Sequence, residues 1–202
     1  MAHAELYVIE EVGTLTSSEV TRLVRACSKR SSTGLRNRAL ITVLYRGGFR
    51  VSEALHLVEA DLDRLSRVIR HTRRGRSRAV GLDPGAFQIL ERWVERRREI
   101  SLPFAAPLFC TLRGDEMRTS YVRALFARLA QTAGIEKRVS AEILRRTLAA
   151  ELAREGFPVS VIQAHLGHAN ASTTSRYLAA LARPEALVAA AQAMQRRGEW
   201  RP

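Results

Sequence analysis

Apolar positions recur at helical spacing through most of the chain, and the breaks between them carry turn chemistry. Thr16-Ser17-Ser18-Glu19 reads as a capping box opening a helix to about Ser28, with Val20, Leu23, Val24 and Cys27 on one face. Ser31-Ser32-Thr33-Gly34 predicts a break. A second helix from Leu35 to about Arg46 then turns Leu35, Ala39, Leu40, Val43 and Leu44 inward. Gly47-Gly48 stops it, and a short helix follows Arg50 as far as Leu57.

Here the period shortens to two. Arg67-Val68-Ile69-Arg70-His71 and Arg78-Ala79-Val80-Gly81-Leu82 alternate as the strands of a hairpin around Arg73-Arg74-Gly75-Arg76. Pro84 starts a helix reaching about Arg98, with Phe87, Leu90, Trp93 and Val94 as its core face. After a loop punctuated by Pro103 and Pro107, Leu108-Phe109-Cys110-Thr111 is a candidate third strand. Helices follow from about Ser120 to Ala133, Ala141 to Glu155 and Pro158 to Leu166, with Gly134, Gly156 and Gly167 as their C-terminal stops. A last helix runs from Pro184 to about Arg196. The expected fold class is mostly α with a small antiparallel hairpin or three-stranded sheet, α+β. No repeat or low-complexity linker divides the chain. The expectation is one domain over residues 1–202, with 1–13 as a tail and 184–197 as a C-terminal helix able to dock on a neighbouring protomer.

Composition narrows the partners. The 202 residues carry a formal net charge of +13 and a pI near 11.2, which favours a polyanion, nucleic acid first, through phosphate neutralisation. All but two of the 33 basic residues (Lys29 and Lys137) are arginine. Codon bias explains arginine in place of lysine but not the excess over acids. No apolar run reaches membrane-spanning length, and Met1-Ala2-His3-Ala4-Glu5 does not lead a basic-then-apolar signal. The expectation is therefore a cytoplasmic protein with no membrane partner. Cys27 and Cys110 lie in apolar stretches without CxxC or CxxH spacing, so they read as buried free thiols and no metal site is expected.

Five short motifs carry chemistry: Gly48-Phe49-Arg50-Val51-Ser52-Glu53, Glu142-Ile143-Leu144-Arg145, Leu166-Gly167-His168, Ser172-Thr173-Thr174 and Tyr177. Arginine forks neutralise phosphate oxygens in bidentate fashion, and tyrosine can act as a covalent nucleophile. In this order and spacing the motifs resemble the tyrosine recombinase catalytic domain (phage integrase, XerC/XerD-like), whose pattern is Arg, Lys, His-x-x-Arg, His or Trp, then Tyr. The resemblance runs from about Thr14 to the C-terminal helix.

It implies a site-specific DNA recombinase acting in integration, resolution or inversion. Arg50 and Arg145 would clamp the scissile phosphate, His168 would hydrogen-bond a non-bridging oxygen, and Tyr177 would form a 3′-phosphotyrosyl link, releasing a 5′-hydroxyl. Because that link conserves the bond energy, no metal, ATP or other cofactor is implied. The implied partner is double-stranded DNA, on which copies of the chain would self-associate as a tetramer. Glu53 resembles the family's structural acid. Arg74, Arg76 and Arg78, around the hairpin, are the expected DNA contacts.

Two positions depart from the pattern. Glu142 stands where the family has the histidine of His-x-x-Arg, and Arg73 stands where a lysine protonates the leaving oxygen. A carboxylate can serve as general base, provided Arg145 or Arg146 compensates its charge. A guanidinium, with its pKa above about 12, is a poor proton donor but can stabilise an oxyanion. His71 or a water is the alternative donor. Too little chain precedes Thr14 for the N-terminal DNA-clamping domain of many relatives, so no such domain is expected, and the proportions resemble fimbrial phase-switch inverters. A catalytically weakened DNA-binding relative and a type IB topoisomerase-like relaxase stay open as alternatives.

Overall fold

The computed structural model describes residues 13–73 and 76–167, with the backbone alone at Arg73 and Arg76. His168, Tyr177, Arg74 and the Pro184–Arg196 helix expected from the sequence lie outside the described residues.

Seven α-helices are described, α1 (Ser17–Arg25), α2 (Ser32–Arg46), α3 (Val51–Ala54), α4 (Pro84–Glu99), α5 (Thr119–Thr132), α6 (Ala141–Arg154) and α7 (Val159–Leu166), with a 3-10 turn at Glu59–Asp61. Between α3 and α4 lies a small sheet of β1 (Leu62–Asp63), β2 (Val68–Arg73) and β3 (Arg76–Gly81), antiparallel in the order β1-β2-β3. None of these helices is long and apolar enough to cross a membrane.

Local chemistry accounts for most boundaries. Thr16 and Glu19 form both halves of the capping box that opens α1. Asp83 accepts the Ala86 N–H to open α4, with Pro84 at the first helical position. Three boundaries differ: the first helix ends at Arg25 and not about Ser28, the short third helix ends at Ala54 and not Leu57, and the second begins early. α2 starts at Ser32, not Leu35, because Ser31 is its N-cap and accepts the Gly34 N–H. Gly34 is a helical residue here, and a Cβ on it would stand 2.3 Å from the Ser28 carbonyl oxygen, so glycine permits the tight α1–α2 connection.

α2 is the central element and packs along α4 and α6. Leu40, Ile41, Val43 and Leu44 are fully enclosed with Trp93, Leu90, Phe126 and Leu144 in the main core. Burying such side chains contributes about 1.5–3 kcal/mol each and is the chief stabilising term. Arginine enters this core too. Arg36 donates to the Cys110 carbonyl, the Tyr121 hydroxyl and Asn37, and Arg97 donates to the carbonyls of Pro103, Ala106, Pro107 and Leu108. Trp93 Nε1 also donates to the Leu108 carbonyl, at 2.8 Å.

Those side chains explain a correction to the sequence reading. Leu108–Thr111 is not the third strand. Its carbonyls are taken by Arg36, Arg97 and Trp93 instead of a neighbouring strand, and only an isolated bridge joins Cys110 to Glu116. The third strand is β1, folded back on β2 through a turn in which Asp63 accepts the Ser66 N–H and Arg67 takes a φ of 53°. The hairpin itself runs longer toward its tip than expected, with Arg73 opposite Arg76 and His71 opposite Arg78.

Candidate active site

Four segments meet around the turn that follows α2. Gly47 caps the helix, and Gly48 reverses the chain with a φ of +57°. A Cβ at Gly48 would stand 2.7 Å from Leu166 Cδ2 and 3.0 Å from Leu148 Cδ2, so glycine is required both for the turn and for the approach of α6 and α7. Phe49 is buried beneath the turn, and Arg50 emerges as the N-cap of α3.

Arg50 is held but open to solvent. Its side chain is 49% exposed, and Glu53, one turn later, accepts from both its backbone N–H at 2.8 Å and its guanidinium at 2.9 Å. Burial works against the Glu53 carboxylate. The Arg50 backbone N–H, the charge of Arg78 and the Arg50 guanidinium outweigh it and hold the Glu53 pKa below the ordinary carboxylate range.

Arg145 arrives from α6, which Ser140 caps by accepting the Ile143 N–H. Its residue is only 2% exposed, enclosed with Leu144 and Leu148, and its fork donates to the carbonyls of Gly48 and Leu166. Arg50 and Arg145 are 95 positions apart in the chain, yet both are set by one turn. Leu166 ends α7, and Gly167 closes it in the left-handed conformation with a φ of 65°. The described chain stops one residue before His168.

Glu142 lies in the first turn of α6, where a carboxylate suits the helix dipole. Its side chain is half exposed and pairs with Arg146 at 3.7 Å, the compensating cation that the sequence reading called for. His71 is buried on β2 with its ring edge-on to Phe49, 6.1 Å between centroids.

Arg78 is placed where sequence reasoning did not look. Expected as a DNA contact, its side chain is 11% exposed and turned into the protein. It donates to the carbonyls of Gly47 at 2.7 Å, Gly48 at 3.4 Å and His165, and to Glu53 at 3.3 Å. Its guanidinium also stacks 4.6 Å from the centre of the Phe49 ring. Burial, with Arg145 and Arg50 adding repulsion and Glu53 opposing them, lowers its pKa to about 10, so it remains a cation at neutral pH. Alternation carried the signal for this: Val80, two residues on, faces the core, and residues of equal parity share a strand face. Arg73 stands two rungs beyond the His71–Arg78 pair, toward the hairpin tip.

His165 is half-buried beside this cluster, with Nε2 3.3 Å from the Arg46 carbonyl oxygen. Burial lowers its pKa, the hydrogen bond to the Arg46 carbonyl opposes this, and the charges of Arg78, Arg145 and Arg46 add to the lowering, so the ring is held below the ordinary imidazole range. Among the described residues no group of three His, Cys, Asp or Glu is placed to hold a metal ion. The open Arg50 guanidinium, with the buried cations Arg78 and Arg145 behind it, makes an arrangement suited to attracting an anion.

Residues 13–183 match the model of the phage integrase family. Tyrosine recombinase XerD of Ralstonia nicotianae is 37% identical over 169 residues, which cover 81% of this chain and 54% of that protein. Tyrosine recombinase XerC of Pelotomaculum thermopropionicum is 30% identical over 170 residues, covering 81% and 56%. The chain thus spans about half the length of the curated relatives it matches. Among solved structures, the XerA recombinase superposes with a TM-score of 0.75 at 28% identity, covering 93% of this chain and 64% of that one. XerH site-specific recombinase bound to its difH substrate, a pre-cleavage complex, gives 0.72 at 25% identity, covering 82% and 50%.

Proposed function

The chain belongs to the phage integrase family, and from that premise we propose that it cuts and rejoins double-stranded DNA at specific sites through a 3′-phosphotyrosyl intermediate. The observation that carries the reading is the convergence of Arg50 and Arg145 on the Gly47–Gly48 turn, from helices distant in sequence. Arg50, open to solvent and oriented by Glu53, is the group that meets the phosphate. Arg145 places a second positive charge within electrostatic reach of the same Arg78 while fixing the turn that carries Arg50.

In the proposed reaction the Tyr177 phenol loses its proton and attacks phosphorus. The bond to the 5′-oxygen breaks, and that oxygen takes up a proton. Negative charge on the non-bridging oxygens rises most in the pentavalent state, which the arginines bind best. His168, the residue after Gly167, donates to one of those oxygens. Glu142, neutralised by Arg146, accepts the tyrosine proton, and Arg73 stabilises the departing 5′-oxygen. A 5′-hydroxyl from a partner strand reverses the sequence of steps.

Arg74 and Arg76 at the hairpin tip contribute phosphate contacts, in keeping with the +13 net charge. Copies of the chain self-associate on DNA, as pairwise strand exchange requires, and the apolar stripe Ala186, Leu187, Ala190, Ala191 and Met194 is the candidate docking element.

The test is a nicked suicide duplex built from sequence repeats flanking the gene, incubated with the protein and run on a denaturing gel. A protein–DNA adduct that survives denaturation is the expected result. No adduct on any flanking repeat would refute the cleavage reading.

A further inference from the structure

We infer that Arg78 is a positioning residue, a clasp that sets Arg50 and the end of α7 against one another and not a contact to DNA. The inference rests on the cleavage reading above for its kinetic consequence, but its geometry stands on its own. Nη2 of Arg78 serves three backbone carbonyls. Two, Gly47 and Gly48, belong to the turn that delivers Arg50; the third, His165, belongs to α7, which ends at the next residue and is capped by Gly167. Nη1 reaches Glu53, the same carboxylate that orients the Arg50 backbone and guanidinium.

The fit around this guanidinium is close. Phe49 lies under it at 4.6 Å, and a Cβ added to Gly167 would stand 3.0 Å from Arg78 Cδ. One side chain from β3 therefore indexes α3 and the exit of α7 to each other, and every chemical group at either place inherits that register. Lysine cannot do the same. An ammonium is a single point on a flexible stem, whereas the planar fork spans the three carbonyls and the carboxylate at once. A misplacement of about 1 Å costs roughly 100-fold in rate.

The experiment compares the parent chain, Arg78→Lys and Glu53→Gln by single-turnover cleavage of the nicked duplex at saturating DNA. DNA affinity across a salt series and amide exchange without DNA are measured alongside. Arg78→Lys is expected to cleave about 100-fold more slowly. Its affinity should stay within about threefold and its salt dependence unchanged, because no phosphate contact is lost. Exchange should quicken at residues 48–50 and 165–167 together. A normal rate at saturation with weakened affinity and a salt slope shallower by about 0.9 would make Arg78 a phosphate contact and overturn the inference.

If Arg78→Lys does not melt cooperatively, Glu53→Gln decides, since it keeps shape and removes the charge that Arg78 and Arg50 share. The same rate loss at unchanged affinity, with exchange quickened at residues 165–167, which Arg78 holds and Glu53 does not touch, supports the clasp, and parent-like exchange there overturns it. The two readings fail separately. A parent chain that forms no adduct, while Arg78→Lys still loosens both segments, removes the recombinase reading and keeps the clasp. A parent that cleaves at the same rate as Arg78→Lys removes the clasp alone.

Discussion

Arg78 and Arg145 donate to the same acceptor, the Gly48 carbonyl, one from β3 at 3.4 Å and the other from α6. Each then reaches a second carbonyl at the end of α7, His165 for Arg78 and Leu166 for Arg145. Two like charges so close repel. Glu53 and the partial negative charge of four carbonyls at helix and turn ends offset that cost. The consequence is a rigid backbone beneath Arg50, which is what an electrostatically preorganised site needs.

The nucleophile is tested most simply. Tyr177→Phe should abolish the covalent adduct while leaving DNA affinity within a few-fold, since one hydroxyl adds little to a phosphate-dominated interface. Gel-shift and denaturing-gel assays on one duplex measure both. An adduct of parent-like yield would assign the attack elsewhere.

Arg50→Ala should lower the single-turnover cleavage rate by about 100- to 1,000-fold for a lost transition-state donor, and Arg145→Ala should lower it through the turn that carries Arg50. They should differ in stability. Arg145 is buried, so removing it takes the donor from the Leu166 carbonyl, at about 1–3 kcal/mol, and leaves the Gly48 carbonyl to Arg78 alone, whereas Arg50 is half exposed. Urea denaturation should show a large loss for Arg145→Ala and a small one for Arg50→Ala. Equal losses would contradict the described burial.

Arg73 at the family's lysine position predicts a slow leaving-group step. A substrate with sulfur at the bridging 5′ position needs no proton donor, because a thiolate leaves unprotonated. Cleavage should accelerate greatly with it, and Arg73→Lys should speed cleavage of ordinary DNA and blunt the sulfur effect. Equal rates on the two substrates would show that another group supplies the proton.

Stability should fall on acidification in two stages. His165 has its pKa lowered by burial from the ordinary 6.5, and Glu53 has its pKa lowered from 4.5. In both cases the unfolded chain binds more protons between the two values. The contribution is therefore complete above the ordinary pKa and lost as pH falls through the folded one. Urea midpoints should begin to drop below about pH 6.5, and His165→Gln should flatten that upper limb. An unchanged slope in the variant would show that His165 is not the group titrating.

How much could be read in advance depends on the range of the interactions. The Thr16–Glu19 capping box, the Pro84 start of α4, the Gly167 stop and the alternating hairpin were all legible in the sequence, because each depends on groups a few residues apart. The order and spacing of Arg50, Arg145, His168 and Tyr177 likewise carried the family. The hairpin's third partner was not legible. Leu62–Asp63 is too short to show a period, and Leu108–Thr111 shows one but gives its carbonyls to side chains from α2 and α4. Nor could the sequence sort its arginines. Arg36, Arg78, Arg97 and Arg145 turn inward to carbonyls 6 to 97 positions away, and Arg50 turns outward. A guanidinium is stable in water or, fully hydrogen-bonded, inside the protein. Only the folded chain, by bringing those carbonyls together, decides which arginine is structure and which is left to meet a phosphate.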